Sequence, residues 1–231
     1  MRNHFRSNLL HSFASFAALL VITAPAAGLF AAPAYGQTAA PAAPAAAEAG
    51  PTVGKAAPTF SLKDWDGKTR KLGDYKGKIV VLEWFNHGCP FVKKHYDSSN
   101  MQDLQKTYTG KGVVWLSVCS SAEGKQGYGT GEEHKKTFKE KGAAPTAVLI
   151  DSEGTVGHQY QAKTTPAMYV IDGKGILVYA GAIDDNRTPD KEAAKTAKNF
   201  VAAALNETIA KKPVAISSTK SYGCSVKYKQ Q

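Results

Sequence analysis

Trp84-Phe85-Asn86-His87-Gly88-Cys89-Pro90-Phe91-Val92-Lys93-Lys94-His95-Tyr96 is the stretch on which the fold turns. The apolar run Ile79 to Phe85 reads as a buried strand, and it passes within a few residues into an amphipathic helix. Pro90 suits the first helical position, which makes Cys89 the N-cap. Unpaired backbone N–H groups and the positive end of the helix dipole favour a thiolate there, with Lys93, Lys94 and His87 adding positive charge. The Cys89 thiol is therefore expected to titrate below the usual cysteine range. The plain alternative is an inert cysteine packed as a small hydrophobe.

Outward from that stretch, apolar runs alternate with amphipathic segments, so the fold class is α/β. Strand A is Ile79 to Phe85, strand B Val113 to Cys119, strand C Ala147 to Ile150, strand D Met168 to Ile171 and strand E Ile176 to Ala180. D and E form a hairpin across Asp172-Gly173-Lys174-Gly175. Ser99 with Gln102 and Thr130 with Glu133 read as capping boxes that open two helices. A last helix is expected to open with Thr188 as cap and Pro189 in its first turn. It would bury Ala193, Ala197, Phe200, Val201, Ala204, Leu205 and Ile209, and stop before Pro213.

The 231 residues carry 29 Lys and Arg against 19 Asp and Glu, a net charge of +10. Arg2, Arg6, Arg70 and Arg187 are its arginines and the lysines are scattered, so the bidentate readers typical of nucleic-acid sites are scarce. Arg2 and Arg6 precede an apolar stretch around Phe13 to Ala24 and then Ala32-Pro33-Ala34, the pattern of a secretory signal peptide over residues 1–34. An uncleaved membrane anchor is the competing reading. Residues 35–51, rich in Ala and Pro, read as a linker, residues 52–212 as the folded domain and residues 213–231 as a tail. In an oxidising compartment, the three cysteines Cys89, Cys119 and Cys224 leave an odd one with chemistry available to it.

Val53-Gly54-Lys55-Ala56-Ala57-Pro58-Thr59-Phe60-Ser61-Leu62 with Asp66-Gly67-Lys68, then Lys76 to Leu82, then Thr164-Thr165-Pro166-Ala167-Met168-Tyr169-Val170-Ile171-Asp172 together resemble the redoxin branch of the thioredoxin superfamily. That branch is the alkyl hydroperoxide reductase and thiol-specific antioxidant family. The resemblance implies a mixed central sheet ordered C, B, A, D, E, with helices on both faces and an opening hairpin. It also implies a cis peptide before Pro166 beside the cysteine, leaving the backbone at Thr165 to bind an extended peptide or mixed disulfide, as an added strand would. The subgroup with an Asn-His-x-Cys-Pro-Phe-Val motif is the most similar at the site, which puts Asn86, His87, Pro90, Thr165 and Pro166 around the substrate.

Two departures shape the expected chemistry. Val92 stands where a C-x-x-C partner would be, so a disulfide cannot close within one helical turn. The peroxiredoxin signature has Pro seven and Thr or Ser three residues before the cysteine, where this chain has Leu82 and Asn86, which argues against a fast peroxidase.

Resolution of an adduct on Cys89 then falls to Cys224, to Cys119 or to an external thiol. Cys119 closes strand B near the reactive end of the sheet, yet a disulfide needs Cα atoms within about 7 Å. Cys224 would have to return from the far end of a helix about 30 Å long, on a tail able to span at most about 40 Å. An intermolecular bridge in a homodimer competes. Arg187, after strand E, is either within reach of the thiolate or paired at the surface with Asp184 or Asp185. His134 and His158 read as surface residues, and Gly124 to Gly129 as a mobile loop beside the site.

The function expected is an exported thiol-disulfide oxidoreductase or slow thiol-dependent peroxidase, acting on thiols, disulfides or hydroperoxides with an external reductant, without a cofactor or metal. A non-catalytic peptide-binding module is the second reading. A copper chaperone using His87, Cys89 and Cys119 is the third.

Overall fold

The computed structural model describes residues 50–230; the expected leader and nearly all of the expected linker lie outside them. In chain order the elements are β1 (Ser61–Asp64), β2 (Thr69–Lys71), β3 (Val80–Trp84), α1 (Pro90–Asp97), α2 (Asn100–Thr109), β4 (Val114–Cys119), α3 (Gly131–Glu140), β5 (Ala147–Ile150), α4 (Thr155–Gln159), β6 (Thr164–Thr165), β7 (Ala167–Ile171), β8 (Leu177–Gly181), α5 (Phe200–Ile209) and β9 (Cys224–Ser225). The main sheet is ordered β2-β1-β5-β4-β3-β7-β8, which contains the expected C, B, A, D, E with the opening hairpin added at the β5 edge. β3, β4 and β5 are parallel; β7, β8 and β1 run against their neighbours.

Period-two alternation divides the core between the two faces of the sheet. Val80, Leu82 and Trp84 point to one face, with Val114, Leu116 and Val118, and are covered by Val156 of α4, by Tyr160 just after it and by Val226 of the tail. Val81 and Phe85 point to the other, under α1, α2, α3 and α5. Every residue of β3 and β4 is buried, as expected of central strands covered on both sides.

Thr130 and Glu133 form the expected capping box on α3. Ser99 does not cap: it sits in the left-handed region at φ 64°, and Gln102 instead donates to the carbonyls of Tyr96 and Lys141, each at 2.8 Å. The last helix starts at Phe200 rather than near Pro189, because Asn199 caps it by accepting the Ala202 N–H at 2.8 Å. Thr188 is held instead in a turn closed on the Asn186 side chain. At 10 residues, α5 is about 15 Å long, half the expected length, which shortens the distance the tail must return. His134 is buried, not at the surface, since α3 turns His134 and Phe138, four residues apart, inward against Phe85. His158 is exposed and stacks on Tyr228.

Candidate active site

The chain leaves β3 through a turn built by Asn86. Its Oδ1 accepts the Gly88 N–H at 2.8 Å and its Nδ2 donates to the Gln126 carbonyl at 2.9 Å. The glycine-rich loop is thereby hydrogen-bonded to the turn at Gln126. Gly127 has φ +86°, and a Cβ there would strike the Asn86 side chain, so glycine is needed at that approach. The turn delivers Cys89 in extended conformation (φ −77°, ψ 124°) as N-cap of α1, with Pro90 at the first helical position.

Cys89 is completely buried. Its thiol donates to the Thr165 carbonyl at 3.1 Å, and the Thr165–Pro166 peptide is cis. Opposite it, β9 pairs antiparallel with β6, Thr165 against Cys224, which brings Cys224 close enough to Cys89 for each thiol to shift the other's titration. Burial alone would raise the Cys89 pKa, but Cys224 beside it and the Val92 N–H bring it below the ordinary cysteine value. Cys224 moves the other way: its partial burial and the neighbouring Cys89 sulfur push it up. Cys89 is thus the more acidic of the two thiols.

The charges expected to assist are elsewhere. Burial holds His87 neutral, with its pKa lowered to about 4, and its ring packs among Phe85, Tyr96, Phe138 and His134. Lys93 is exposed. Lys94 is buried and paired with Asp184 at 3.0 Å, and it donates to the Asn186 carbonyl at 2.6 Å. Arg187 lies exposed on its loop and forms no ion pair among the described residues. Cys119 is buried, donates to the Gly127 carbonyl at 3.2 Å, and has its pKa raised by desolvation. Asn86 and His87 thus face the loop and the aromatic cluster, while Cys89, Thr165, Pro166 and Cys224 come together. His87, Cys89 and Cys119 do not converge as a donor set: among the described residues no three His, Cys, Asp or Glu side chains are grouped to hold a metal.

The tail is no loose arm. Ser218 bridges to Ala180, the Thr219 hydroxyl accepts the Ala182 N–H at 2.9 Å, and Val226 N–H reaches the Lys163 carbonyl at 3.1 Å. Tyr222 points into the interior, donating to Asp184 and lying 3.4 Å from Lys94 Nζ and 3.2 Å from His95 Nε2. This buried group of Lys94, His95, Asp184 and Tyr222 escaped the sequence reading. A signal for it was present: Tyr222, Cys224, Val226 and Tyr228 recur every second residue, the pattern of a half-buried strand.

Residues 53–180 match the AhpC/TSA family. The chain is similar to the thioredoxin-like protein YneN of Bacillus subtilis, 31% identical over 130 residues, spanning 56% of this chain and 71% of that one. It is also similar to the thiol-disulfide oxidoreductase ResA of Geobacillus thermodenitrificans, 28% identical over 53% of this chain and 65% of that protein. Among solved structures, an uncharacterised conserved protein of Geobacillus kaustophilus superposes with a TM-score of 0.67 at 30% identity, over 78% of this chain and 94% of that one. The architecture is the thioredoxin-like fold. Since the family match extends from the segment before the opening hairpin, through the Cys89 turn and the cis-proline strand, into β8, the chain belongs to the AhpC/TSA family.

Proposed function

We propose that the protein is an exported thiol-disulfide oxidoreductase or slow thiol-dependent peroxidase, with Cys89 as nucleophile and Cys224 as the thiol that resolves its adducts. The observation that carries this reading is the pairing of Thr165 with Cys224, which sets a second thiol against Cys89 where the helix offers only Val92.

With a disulfide, the Cys89 thiolate bonds to one sulfur and the other leaves as a thiolate. Cys224, losing its proton, then attacks Cys89 Sγ and expels the bound thiol. With a hydroperoxide, the thiolate takes the distal oxygen, the O–O bond breaks, and an alcohol or water departs with a proton. Cys224 then condenses with the sulfenic acid, forming a disulfide and releasing water. Two equivalents of an external thiol, or one dithiol, then return both cysteines to the reduced state and leave as a disulfide.

The test is mass-spectrometric mapping of cysteine states after a stoichiometric pulse of hydrogen peroxide or a small disulfide. A Cys89–Cys224 bridge is the expected product. Alkylation against pH gives a second check, with Cys89 reacting at a midpoint below that of free cysteine and Cys119 above it. The two rates should differ by about tenfold for each unit between the midpoints. A Cys89 midpoint at or above the free value would refute the nucleophile.

Export rests on the leader: a cleaved signal peptide predicts a mature N-terminus between Ala27 and Thr38, read by N-terminal sequencing. Recovery of intact Met1 in membrane-bound protein would favour the anchor. Among the described residues no helix is long and apolar enough to cross a membrane.

A further inference from the structure

A polypeptide disulfide reaching Cys89 along the cis-proline edge has to add as a strand against Thr164 and Thr165. β9 already holds that position, so the chain's own Cys224-Ser225 occupies the place of an incoming polypeptide. Residues 217–228 cross the whole reactive end, tied at Ala180 and Ala182 before β9 and at Lys163, Ala122 and Ala162 after it. Between these ties, Tyr222 sends its hydroxyl onto Asp184, whose pair with Lys94 has both side chains buried. Its ring packs edge-on to Phe91 of α1, 5.8 Å between centroids. Gly223, next to it, has φ +126°, and a Cβ there would collide with the Thr165 carbonyl; only glycine lets the tail lie this close.

We infer that residues 217–228 form a strap latched shut by Tyr222, and that the latch selects the class of substrate. A hydroperoxide or other small oxidant reaches Cys89 beneath the closed strap through side-chain movement alone. An extended polypeptide disulfide engages Cys89 only once the strap has lifted and vacated the edge. This rests on the proposed roles of Cys89 and Cys224 and uses the steps already balanced for them. Tyr222 acts through the tail and is a positioning residue, touching neither sulfur in the chemistry assigned to it.

The experiment compares Tyr222→Phe and Gly223→Ala with the parent, all carrying Cys119→Ser, in the otherwise full-length chain. Tyr222→Phe keeps the ring and removes the hydroxyl, while Gly223→Ala pushes the tail away from Thr165 and leaves the domain untouched. Amide hydrogen exchange over residues 217–228 should quicken about tenfold or more in both, in Tyr222→Phe through loss of a hydrogen bond to a charged group and in Gly223→Ala through the clash of the new Cβ with the Thr165 carbonyl. The rate of Cys89 with a linear peptide disulfide should rise by a similar factor in both, while in Tyr222→Phe, whose strap stays closed most of the time with Cys224 against Cys89, the rate with hydrogen peroxide changes by less than about threefold. Unchanged exchange in Tyr222→Phe would overturn the latch. A peptide rate that does not rise, or a peroxide rate that rises as much, would overturn the selection. Absence of any Cys89 adduct with either reagent would overturn the proposed function and the substrate assignment together, with the exchange rates still deciding whether Tyr222 holds the tail.

Discussion

Cys224→Ser protein given one equivalent of hydrogen peroxide is expected to stop at a sulfenic acid on Cys89, and given a small disulfide, at a mixed disulfide. The parent proceeds in both cases to a Cys89–Cys224 bridge. Val92 removes the partner one helical turn away, and Cys119 spends its thiol on the Gly127 carbonyl, so the tail thiol is the one already placed against the adduct. Replacing a preplaced intramolecular partner with a dilute external thiol should slow resolution by about two orders of magnitude or more. Cys119→Ser should turn over like the parent. Non-reducing mass spectrometry separates the outcomes: trapping in Cys119→Ser but not in Cys224→Ser would move the resolving role to Cys119. A bridge found only between two chains would make resolution a property of a dimer.

The strands and the reactive turn were legible because their signals are local. Ile79 to Phe85 is apolar at every position but Glu83, Pro90 follows Cys89, and Asp172 to Gly175 closes a hairpin, each within one short window of sequence. What escaped depends on partners far apart in the chain. Lys94 reads as a charge beside the thiolate until Asp184, 90 residues on, buries it. His134 reads as a surface residue because its neighbours on α3 are polar, and only the fold brings Phe85 against it. Asn199 outcompeted Thr188 as helix cap because Asn186 had already engaged the threonine. The tail is hard to read for a different reason: a strand of two residues paired with a single short neighbour carries too little periodicity to outweigh a basic, terminal setting. Its alternation of Tyr222, Cys224, Val226 and Tyr228 becomes meaningful once the edge at Thr165 is known to need a covering strand.

Glu83→Leu should cost about 3–5 kcal/mol of stability at neutral pH, measured by denaturant unfolding. Glu83 is wholly buried in β3, on the face that carries Phe85, and gathers four donors from three elements. Tyr96 of α1 donates to Oε1 at 2.7 Å, while Trp115 Nε1 and the Ser117 hydroxyl of β4, each at 2.8 Å, and Gln105 of α2 at 3.2 Å donate to Oε2. Leucine would leave the Trp115 indole N–H unpaired in the core and take the acceptor from the Tyr96 and Ser117 hydroxyls, while the Gln105 amide would keep only its 3.3 Å bond to Tyr96. Because Tyr96 belongs to the helix that Cys89 caps, the same loss should loosen the register of the reactive turn and slow Cys89 alkylation. Glu83→Gln keeps an acceptor and the shape, so it isolates the charge. Burial raises the Glu83 pKa above its ordinary value despite those four bonds, so the native state holds a proton more tightly than the unfolded chain does. That contribution is complete below the unfolded pKa of about 4.3 and is lost as pH rises through the folded value. The stability of the parent relative to Glu83→Gln should therefore decline as pH climbs from about 4 toward neutrality. A difference that stays flat, or grows, over that range would mean the carboxylate is more at ease among its donors than its burial implies.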